Sequence, residues 1–214
     1  MEIAPNLTSF PLNSGHSIPS IGYGTGLLLD GCSEAITKAI ESGYRHIDTA
    51  RFYCNEHLIG NAINSLIKAE KIKRSDLFIV TKVWNNLDSD AEKDLRASLS
   101  DLQTDYVDLC LIHWPFGTID EKFQMKQHPL HVYWRQLEEC VRKGLTRSIG
   151  VSNFSCQLLC DLLSYAGIKP AVNQIENHPY LPQDNLVKFC QRNGIHVISY
   201  CSLAKGGPTK NQSK

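Results

Sequence analysis

The chain has 214 residues, of which 42% are hydrophobic, so it can bury one substantial core. Lys plus Arg and Asp plus Glu both number 22, which argues against the one-signed field of a nucleic-acid or membrane-surface protein. No apolar run of about 18 residues occurs, and the segment MEIAPNLTSF lacks the basic and apolar regions of a signal peptide. We therefore expect a soluble, cytoplasmic protein, and a small neutral substrate fits this composition.

The cysteines are scattered singly, and in a hydrophobic chain of this size we interpret them as reduced core thiols. The eight positions are Cys32, Cys54, Cys110, Cys140, Cys156, Cys160, Cys190 and Cys201. Cys156 and Cys160 are four residues apart, as on one helix face, but no second ligand pair accompanies them. No metal site is predicted.

Short apolar runs alternate with segments of helical periodicity along the chain. The seven predicted strands are Ile21–Thr25, His46–Ala50, Phe78–Val83, Val107–Trp114, Ser148–Asn153, Ala171–Glu176 and His196–Cys201. Between them, apolar residues recur every three to four positions, for example from Leu58 to Ile67, as in helices that pack one face on a sheet. Left-handed helix C-caps are predicted at Gly43, Gly144, Gly167 and Gly194.

Apolar strands separated by single helices predict an α/β protein with a parallel sheet, and the regular repetition favours a (β/α)8 TIM barrel. A doubly wound sheet is the main alternative. It is disfavoured because Gly22, Gly24 and Gly26 do not form a G-x-G-x-x-G turn that opens a helix. Before them, TSFPLNSGHSIP predicts a short hairpin with its turn at residues 13–15, suited to plugging the bottom of a barrel.

Polar residues fall where the predicted strands end, and in a barrel these C-terminal ends carry the catalytic groups. They are Asp48 with the nearby Tyr53, Lys82, His113 with Trp114, Ser152 with Asn153, Gln174 and Tyr200. Plainer interpretations exist for each: Lys82 and Asp48 as a structural ion pair, His113 as a core histidine, and Tyr53 as a packing tyrosine. These weaken when so many polar residues occupy successive strand ends.

Four of these residues, Asp48, Tyr53, Lys82 and His113, together form a workable proton donor. A phenol is a weak acid at neutral pH unless a nearby positive charge stabilises its phenolate, and Lys82 would supply that charge to Tyr53. Asp48 would keep Lys82 charged and oriented. His113 would hydrogen-bond a substrate carbonyl oxygen and hold it beside the Tyr53 hydroxyl.

Five segments resemble the aldo-keto reductases in sequence and in order: GYRHIDTARFYCNEHLIG, FIVTKVW, VDLCLIHWP, SIGVSNF and AVNQIENHPY. The resemblance extends over residues 8–204. It implies that Asp48, Tyr53, Lys82 and His113 are the catalytic tetrad, with Tyr53 as the general acid. It also implies the cofactor NADPH, with the carboxamide of its nicotinamide bound by Ser152, Asn153 and Gln174 and the ring stacked on Tyr200. Thr25 and Asp48 are assigned to the cofactor site as well.

The implied reaction is hydride transfer from nicotinamide C4 to an aldehyde or ketone carbon, with Tyr53 delivering the proton that gives an alcohol. Similarly placed family residues suggest that Trp84 and Trp114, together with His113, contact the substrate. Aromatic walls would favour hydrophobic or aromatic carbonyl compounds. Core or rim packing is the plainer interpretation of the two tryptophans.

Two departures from the family pattern shape the domain prediction. After Tyr200 the family usually reads Ser-Pro-Leu, whereas this chain has Cys201, Ser202 and Leu203. Residues 205–214 are a polar tail, so we expect a C-terminally truncated barrel over residues 1–204. It would have about seven β/α units and lack the eighth strand, the C-terminal helices and the segment that grips the adenosine 2′-phosphate.

The truncation leads to further expectations. A complete barrel would be a monomer, whereas open edges at the first and seventh strands predict low stability or self-association. Activity would be impaired to the extent that the missing segment holds the cofactor. The alternative function is a catalytically inactive half-barrel that serves as a binding or regulatory module.

Overall fold

The computed structural model describes residues 8–119, 121 and 124–204. The strands, in chain order, are β1 (Ser9–Pro11), β2 (Ser17–Pro19), β3 (Tyr23–Gly24), β4 (His46–Asp48), β5 (Phe78–Val83), β6 (Val107–Ile112), β7 (Thr118–Ile119), β8 (Met125–Lys126), β9 (Thr146–Ser152), β10 (Val172–Glu176) and β11 (His196–Tyr200). The α-helices are α1 (Cys32–Glu41), α2 (Glu56–Lys68), α3 (Ala91–Leu102), α4 (Leu130–Arg142), α5 (Cys156–Tyr165) and α6 (Asp184–Arg192).

Seven strands form one parallel sheet in the order β11-β10-β9-β6-β5-β4-β3. Each pair of sequential strands in this sheet is joined by one α-helix, as in successive β/α units. The sheet curls into a nearly closed barrel, which confirms the predicted TIM-barrel type of fold with seven strands among the described residues.

Side-chain alternation along the strands divides the core into two clusters. In β5, Ile79 and Val83 belong to the large cluster that packs against the helices, whereas Phe78 and Val80 belong to a smaller cluster inside the barrel. The period of two places Lys82 on the same inward series as Phe78 and Val80. The fold therefore directs a lysine into the barrel near the C-terminal end of the strand.

The predicted N-terminal hairpin is present and closes the bottom of the barrel. Strands β1 and β2 pair in antiparallel fashion, and Leu12 and Ile18 join the inner core cluster. The Asn13 amide donates to the carbonyl oxygens of Pro170 (2.9 Å) and Gly194 (3.1 Å). These contacts fix the hairpin to the N-terminal ends of the later strands.

Some local predictions were wrong. Gly43, Gly144 and Gly194 have the predicted positive φ, whereas Gly167 is not among the positive-φ glycines, because α5 ends in an extended Ala166. The prediction of core thiols holds for Cys32, Cys110, Cys140 and Cys190. It was wrong for Cys54 and Cys160, which are exposed, while Cys156 and Cys201 are half-buried; all eight are free. The short hairpin of β7 and β8 was not predicted.

Within the part of the chain that the structure describes, the two outer strands of the sheet, β3 and β11, each pair along one side only. Residues of β11 are half-buried or exposed, in contrast to the fully buried β5 and β6. A cavity of about 560 Å³ lies between the two edges and contacts both, with Ile21 and Gly22 on one side and Val197 and Ile198 on the other. The predicted polar tail at residues 205–214 lies outside the described residues. Among the helices that the structure describes, none is long and apolar enough to cross a membrane.

Candidate active site

Lys82 and Asp48 form an ion pair at the C-terminal end of the barrel. Nζ of Lys82 lies 2.5 Å from Oδ1 of Asp48, and it also donates to the carbonyl oxygen of Thr49 at 2.9 Å. The Lys82 side chain is 1% exposed and that of Asp48 is 15% exposed. An ammonium buried to this degree requires a counter-charge, and Asp48 supplies it.

Tyr53 is carried by a single turn of 3-10 helix, Arg51–Tyr53, which begins three residues after the last residue of β4. Its hydroxyl lies 3.5 Å from Nζ of Lys82, and the ammonium lies 5.1 Å from the centre of the Tyr53 ring. The next residue, Cys54, has a left-handed φ of 56°, which turns the chain into helix α2. The phenol and the ammonium are therefore neighbours at the rim of the barrel.

His113 follows β6, and its backbone N–H continues the sheet ladder to the carbonyl oxygen of Val83 at 2.9 Å. Its ring packs edge-on against the Tyr53 ring with centroids 5.6 Å apart. Burial, together with the charge of Lys82, lowers the pKa of His113 to about 4. The imidazole is therefore neutral at physiological pH and has one N–H to donate.

Ser152, Asn153, Gln174 and Tyr200 are joined by hydrogen bonds across the ends of β9, β10 and β11. The Tyr200 hydroxyl donates to Oδ1 of Asn153 at 2.7 Å, and Nδ2 of Asn153 donates to the carbonyl oxygen of His113 at 2.9 Å. The Ser152 hydroxyl donates to the Gln174 carbonyl oxygen at 2.9 Å. Burial raises the pKa of Tyr200, which keeps its phenol protonated as this donor.

Gln174 links these residues to the ion pair. Its Nε2 donates to Oδ2 of Asp48 at 2.7 Å, so the two oxygens of Asp48 are held from opposite sides by Lys82 and Gln174. Thr25, which follows β3, is fully buried, and both its backbone N–H and its hydroxyl donate to the backbone carbonyl oxygen of Asp48 at 3.0 Å.

A cavity of about 380 Å³ brings most of the predicted site residues together. Its lining includes Thr25, Asp48, Tyr53, His113, Trp114, Ser152, Asn153, Gln174 and Tyr200. Lys82 lies behind Asp48 and Tyr53, and Trp84 packs against His113 with ring centroids 5.3 Å apart. All the residues predicted from the sequence are thus clustered at one end of the barrel.

Several residues of this region were not predicted from the sequence. Phe52 is 68% exposed and packs on Trp84 at a centroid distance of 5.2 Å, and Phe116 is 43% exposed and packs on Trp114 at 5.3 Å. Their positions beside Tyr53 and two residues after Trp114 were the available signals. Asn55 and Thr49, which are bonded to each other, were also missed, since their side chains gave no sign of their partners.

Within the described residues, no group of three or more His, Cys, Asp or Glu side chains is placed to hold a metal ion. The chemistry available in the cavity is that of an ion pair, a phenol, a neutral imidazole and side-chain amides.

The parallel barrel carries a cluster of polar side chains at the C-terminal ends of its strands. This arrangement is typical of enzymes with the TIM-barrel fold. Residues 21–214 match the model of the aldo/keto reductase family, and the chain belongs to that family.

Individual relatives agree with this assignment. The NAD(P)H-dependent D-xylose reductase of Scheffersomyces stipitis is 44% identical over 216 residues, an alignment that covers 92% of this chain and 68% of the reductase. The aldose reductase of Schistosoma japonicum superposes with a TM-score of 0.87 at 36% identity, covering 92% of this chain and 70% of the other. An aldo-keto reductase of Bombyx mori in complex with NADP gives a TM-score of 0.86 at 36% identity, covering 92% and 67%.

Proposed function

We propose that this chain reduces aldehydes or ketones to alcohols with NADPH and that Tyr53 donates the proton. The observation that carries the proposal is the placement of the Lys82 ammonium, 2.5 Å from Asp48 and 3.5 Å from the Tyr53 hydroxyl, directly behind these two residues, which line a cavity of about 380 Å³. A positive charge in this position stabilises the negative charge that develops on the phenol oxygen as its proton leaves.

Of the two candidate proton donors, Tyr53 is favoured by the electrostatics. Because the pKa of His113 is lowered to about 4, its imidazole holds no extra proton to give at neutral pH. A neutral imidazole can still donate one hydrogen bond, so His113 is suited to hold the substrate carbonyl oxygen. The proton then comes from Tyr53, whose ring lies 5.6 Å from that of His113.

The residues around the cavity fit a nicotinamide. Asn153 and Gln174 offer side-chain amides and Ser152 a hydroxyl, which match the donor and acceptor pattern of a carboxamide, and Tyr200 offers a ring for stacking. The amides are already held in place by Tyr200 and Asp48, so they are pre-organised. When bound, the cofactor would supply the hydride. The names of the xylose reductase and of the silkworm complex, which mention NAD(P)H and NADP, support this choice of cofactor.

The substrate side of the cavity is aromatic. Phe52 and Trp84 pack against His113, and Phe116 packs against Trp114, which lines the cavity. Phe52 and Phe116 are exposed. An apolar rim around a few polar groups favours hydrophobic carbonyl compounds, including aromatic aldehydes. A sugar aldehyde would bind through its hydroxyl groups instead, and among these four aromatic side chains only the two tryptophans carry a hydrogen-bonding group.

A second candidate is a module without catalytic activity that binds a partner chain. The observation in its favour is the pair of sheet edges at β3 and β11, which each lack a neighbour on one side among the described strands. The same edges support self-association. The complete set of polar residues at the strand ends supports the reductase, because a binding module has no use for a buried lysine beside a phenol. Cytoplasmic location remains a prediction.

The two candidates differ in what the purified chain does with NADPH. A reductase quenches its tryptophan fluorescence on binding NADPH and oxidises NADPH when an aromatic aldehyde is added, as followed by the nicotinamide absorbance. A folded chain that neither binds nor oxidises NADPH would contradict the proposal and favour the binding module.

A further inference from the structure

Asn55 is a fully buried asparagine, two residues after Tyr53. Its side chain joins the start of α2 to the loop after β3 and to the residue that follows β4. Its Nδ2 donates to the carbonyl oxygens of Thr25 (2.8 Å) and Leu28 (2.9 Å). Its Oδ1 accepts a hydrogen bond from the Thr49 hydroxyl at 3.1 Å. Both donors and the acceptor of the amide are therefore used inside the protein.

The position of Asn55 at the start of helix α2 makes these contacts informative. Asparagine at a helix N-cap ordinarily accepts a hydrogen bond from a backbone N–H of the first turn. Asn55 occupies the N-cap of α2, yet its side chain makes no capping bond. The amide is committed to the loops near the cavity instead of to its own helix.

Two of the partners of Asn55 contact the ion pair. Thr25 donates from its backbone N–H and its hydroxyl to the backbone carbonyl oxygen of Asp48, each at 3.0 Å. The carbonyl oxygen of Thr49 accepts from Nζ of Lys82 at 2.9 Å. Asn55 is thus linked to Asp48 through one residue, Thr25, and to Lys82 through one residue, Thr49.

Asn55 also fixes the segment that carries the phenol. Only Cys54 separates Asn55 from Tyr53, and Cys54 adopts a φ of 56°, a left-handed conformation that is costly for a residue other than glycine. Anchoring the next residue by three hydrogen bonds keeps the chain in this conformation. The position of the Tyr53 hydroxyl relative to Lys82 therefore depends on Asn55.

From these contacts we infer that Asn55 is a positioning residue for proton transfer, which sets the alignment of Tyr53, Lys82 and Asp48 without touching the substrate. The inference rests on the proposed function and deepens it. Misplacing a reacting group by about 1 Å can cost roughly 100-fold in rate, so loosening this anchor should act on catalysis more than on binding.

The test compares two variants that break the anchor with two that do not. Asn55→Ala removes the amide, and Thr49→Val removes the hydroxyl that Asn55 accepts from while keeping the size of the side chain. Thr49→Ser restores a hydroxyl at the same position. Asn64→Ala is the matched control, because Asn64 lies on the same helix and bonds to the carbonyl oxygens of Gly60 and Gln103 instead.

For Asn55→Ala we expect kcat to fall about 10- to 100-fold and the solvent deuterium isotope effect on kcat to rise, with the Kd of NADPH unchanged. Thr49→Val should move in the same direction, while Thr49→Ser and Asn64→Ala stay close to the wild type. A merely structural role would lower the melting temperature of Asn55→Ala without moving the isotope effect, and that result would overturn the inference.

A measurement that does not require turnover separates this inference from the proposed function. In protein labelled with ¹⁵N-lysine, the side-chain ammonium signal of Lys82 reports its contacts with Asp48 and Thr49. It should shift or broaden in Asn55→Ala and Thr49→Val and stay in place in Thr49→Ser and Asn64→Ala. If the wild type does not reduce aldehydes, the proposed function fails, and the Lys82 signal alone decides the inference. An unchanged Lys82 signal in Asn55→Ala and in Thr49→Val would overturn the inference.

Discussion

Gln174 donates a hydrogen bond from Nε2 to Oδ2 of Asp48 at 2.7 Å, and this bond joins the predicted cofactor site to the predicted proton donor. The other carboxylate oxygen of Asp48 faces Lys82. One carboxylate thus lies between an amide that would bind the nicotinamide and an ammonium that would act on Tyr53. The two halves of the site are physically continuous.

Gln174→Leu should weaken both halves. Loss of a hydrogen bond to the neutral carboxamide costs about 0.5–1.5 kcal/mol, so we expect the Kd of NADPH to rise roughly 2- to 10-fold. Loss of the bond to Asp48 should loosen that carboxylate and lower kcat. Fluorescence titration and steady-state kinetics measure the two effects separately. A change in Kd with an unchanged kcat would show that Gln174 does not hold Asp48.

The Lys82–Asp48 pair should contribute strongly to stability. In Asp48→Asn the ammonium, only 1% exposed, loses its counter-charge, and we expect about 3 kcal/mol less free energy of unfolding in urea. Lys82→Met should cost less, because Asp48 is 15% exposed and keeps the bond from Gln174. The matched control is Lys71→Met, whose partner Glu41 is on the surface, with an expected cost below about 1 kcal/mol. Equal losses for the buried and surface variants would contradict the role of burial.

His113 should titrate at about pH 4, as seen in the ring C–H signals of an NMR titration. Since its pKa in the folded state lies below the unfolded value of about 6.5, the neutral form is favoured by folding. The stability associated with this group is present above about pH 6.5 and is lost as the pH falls toward about 4. His113→Gln should therefore flatten the acid decline in stability. A measured pKa of His113 near 6.5 would show that burial and the charge of Lys82 do not keep the imidazole neutral.

The edges of the sheet should lead to self-association or to low stability. Ile21, 53% exposed, lies beside the cavity between β3 and β11, and a lysine there should block strand pairing between copies. Light scattering after gel filtration should show oligomers of the wild type that Ile21→Lys converts to monomers. Val132→Lys, at a 36% exposed position on α4, is the control and should change nothing. A wild-type monomer with a cooperative transition at about 45–65 °C would contradict this expectation.

The fold could be predicted in large part because its signal is repeated. Each unit shows an apolar run followed by helical periodicity, so the strands at His46, Phe78, Val107, Val172 and His196 begin at or within one residue of the predicted positions. The first strand of the sheet was overestimated, since only Tyr23–Gly24 pairs with β4. A β-branched residue such as Ile21 is typical of strands, but strand formation also requires hydrogen bonds to a neighbouring strand, which cannot be deduced from the local sequence.

The candidate site could be predicted as a set of residues but not as a network. Strand ends in a parallel sheet meet at one edge, which sufficed to group Asp48, Lys82 and Gln174. The bond from Gln174 to Asp48 and the anchoring by Asn55 depend on side-chain directions in loops. Asn55 in particular has the sequence signature of a helix cap, and only its contacts reveal the different use of its amide.

The most direct test of the central claim, that Tyr53 donates the proton, is NADPH oxidation by Tyr53→Phe with an aromatic aldehyde. The variant removes one hydroxyl and keeps the ring, so NADPH binding, measured by tryptophan fluorescence, should be retained. Tyr106→Phe is the control, because Tyr106 packs between Arg74 and Arg147, away from the cavity. We predict that Tyr53→Phe binds NADPH but loses turnover by about 100-fold or more, while Tyr106→Phe keeps it. Turnover at the wild-type rate in Tyr53→Phe would contradict the assignment of the proton donor.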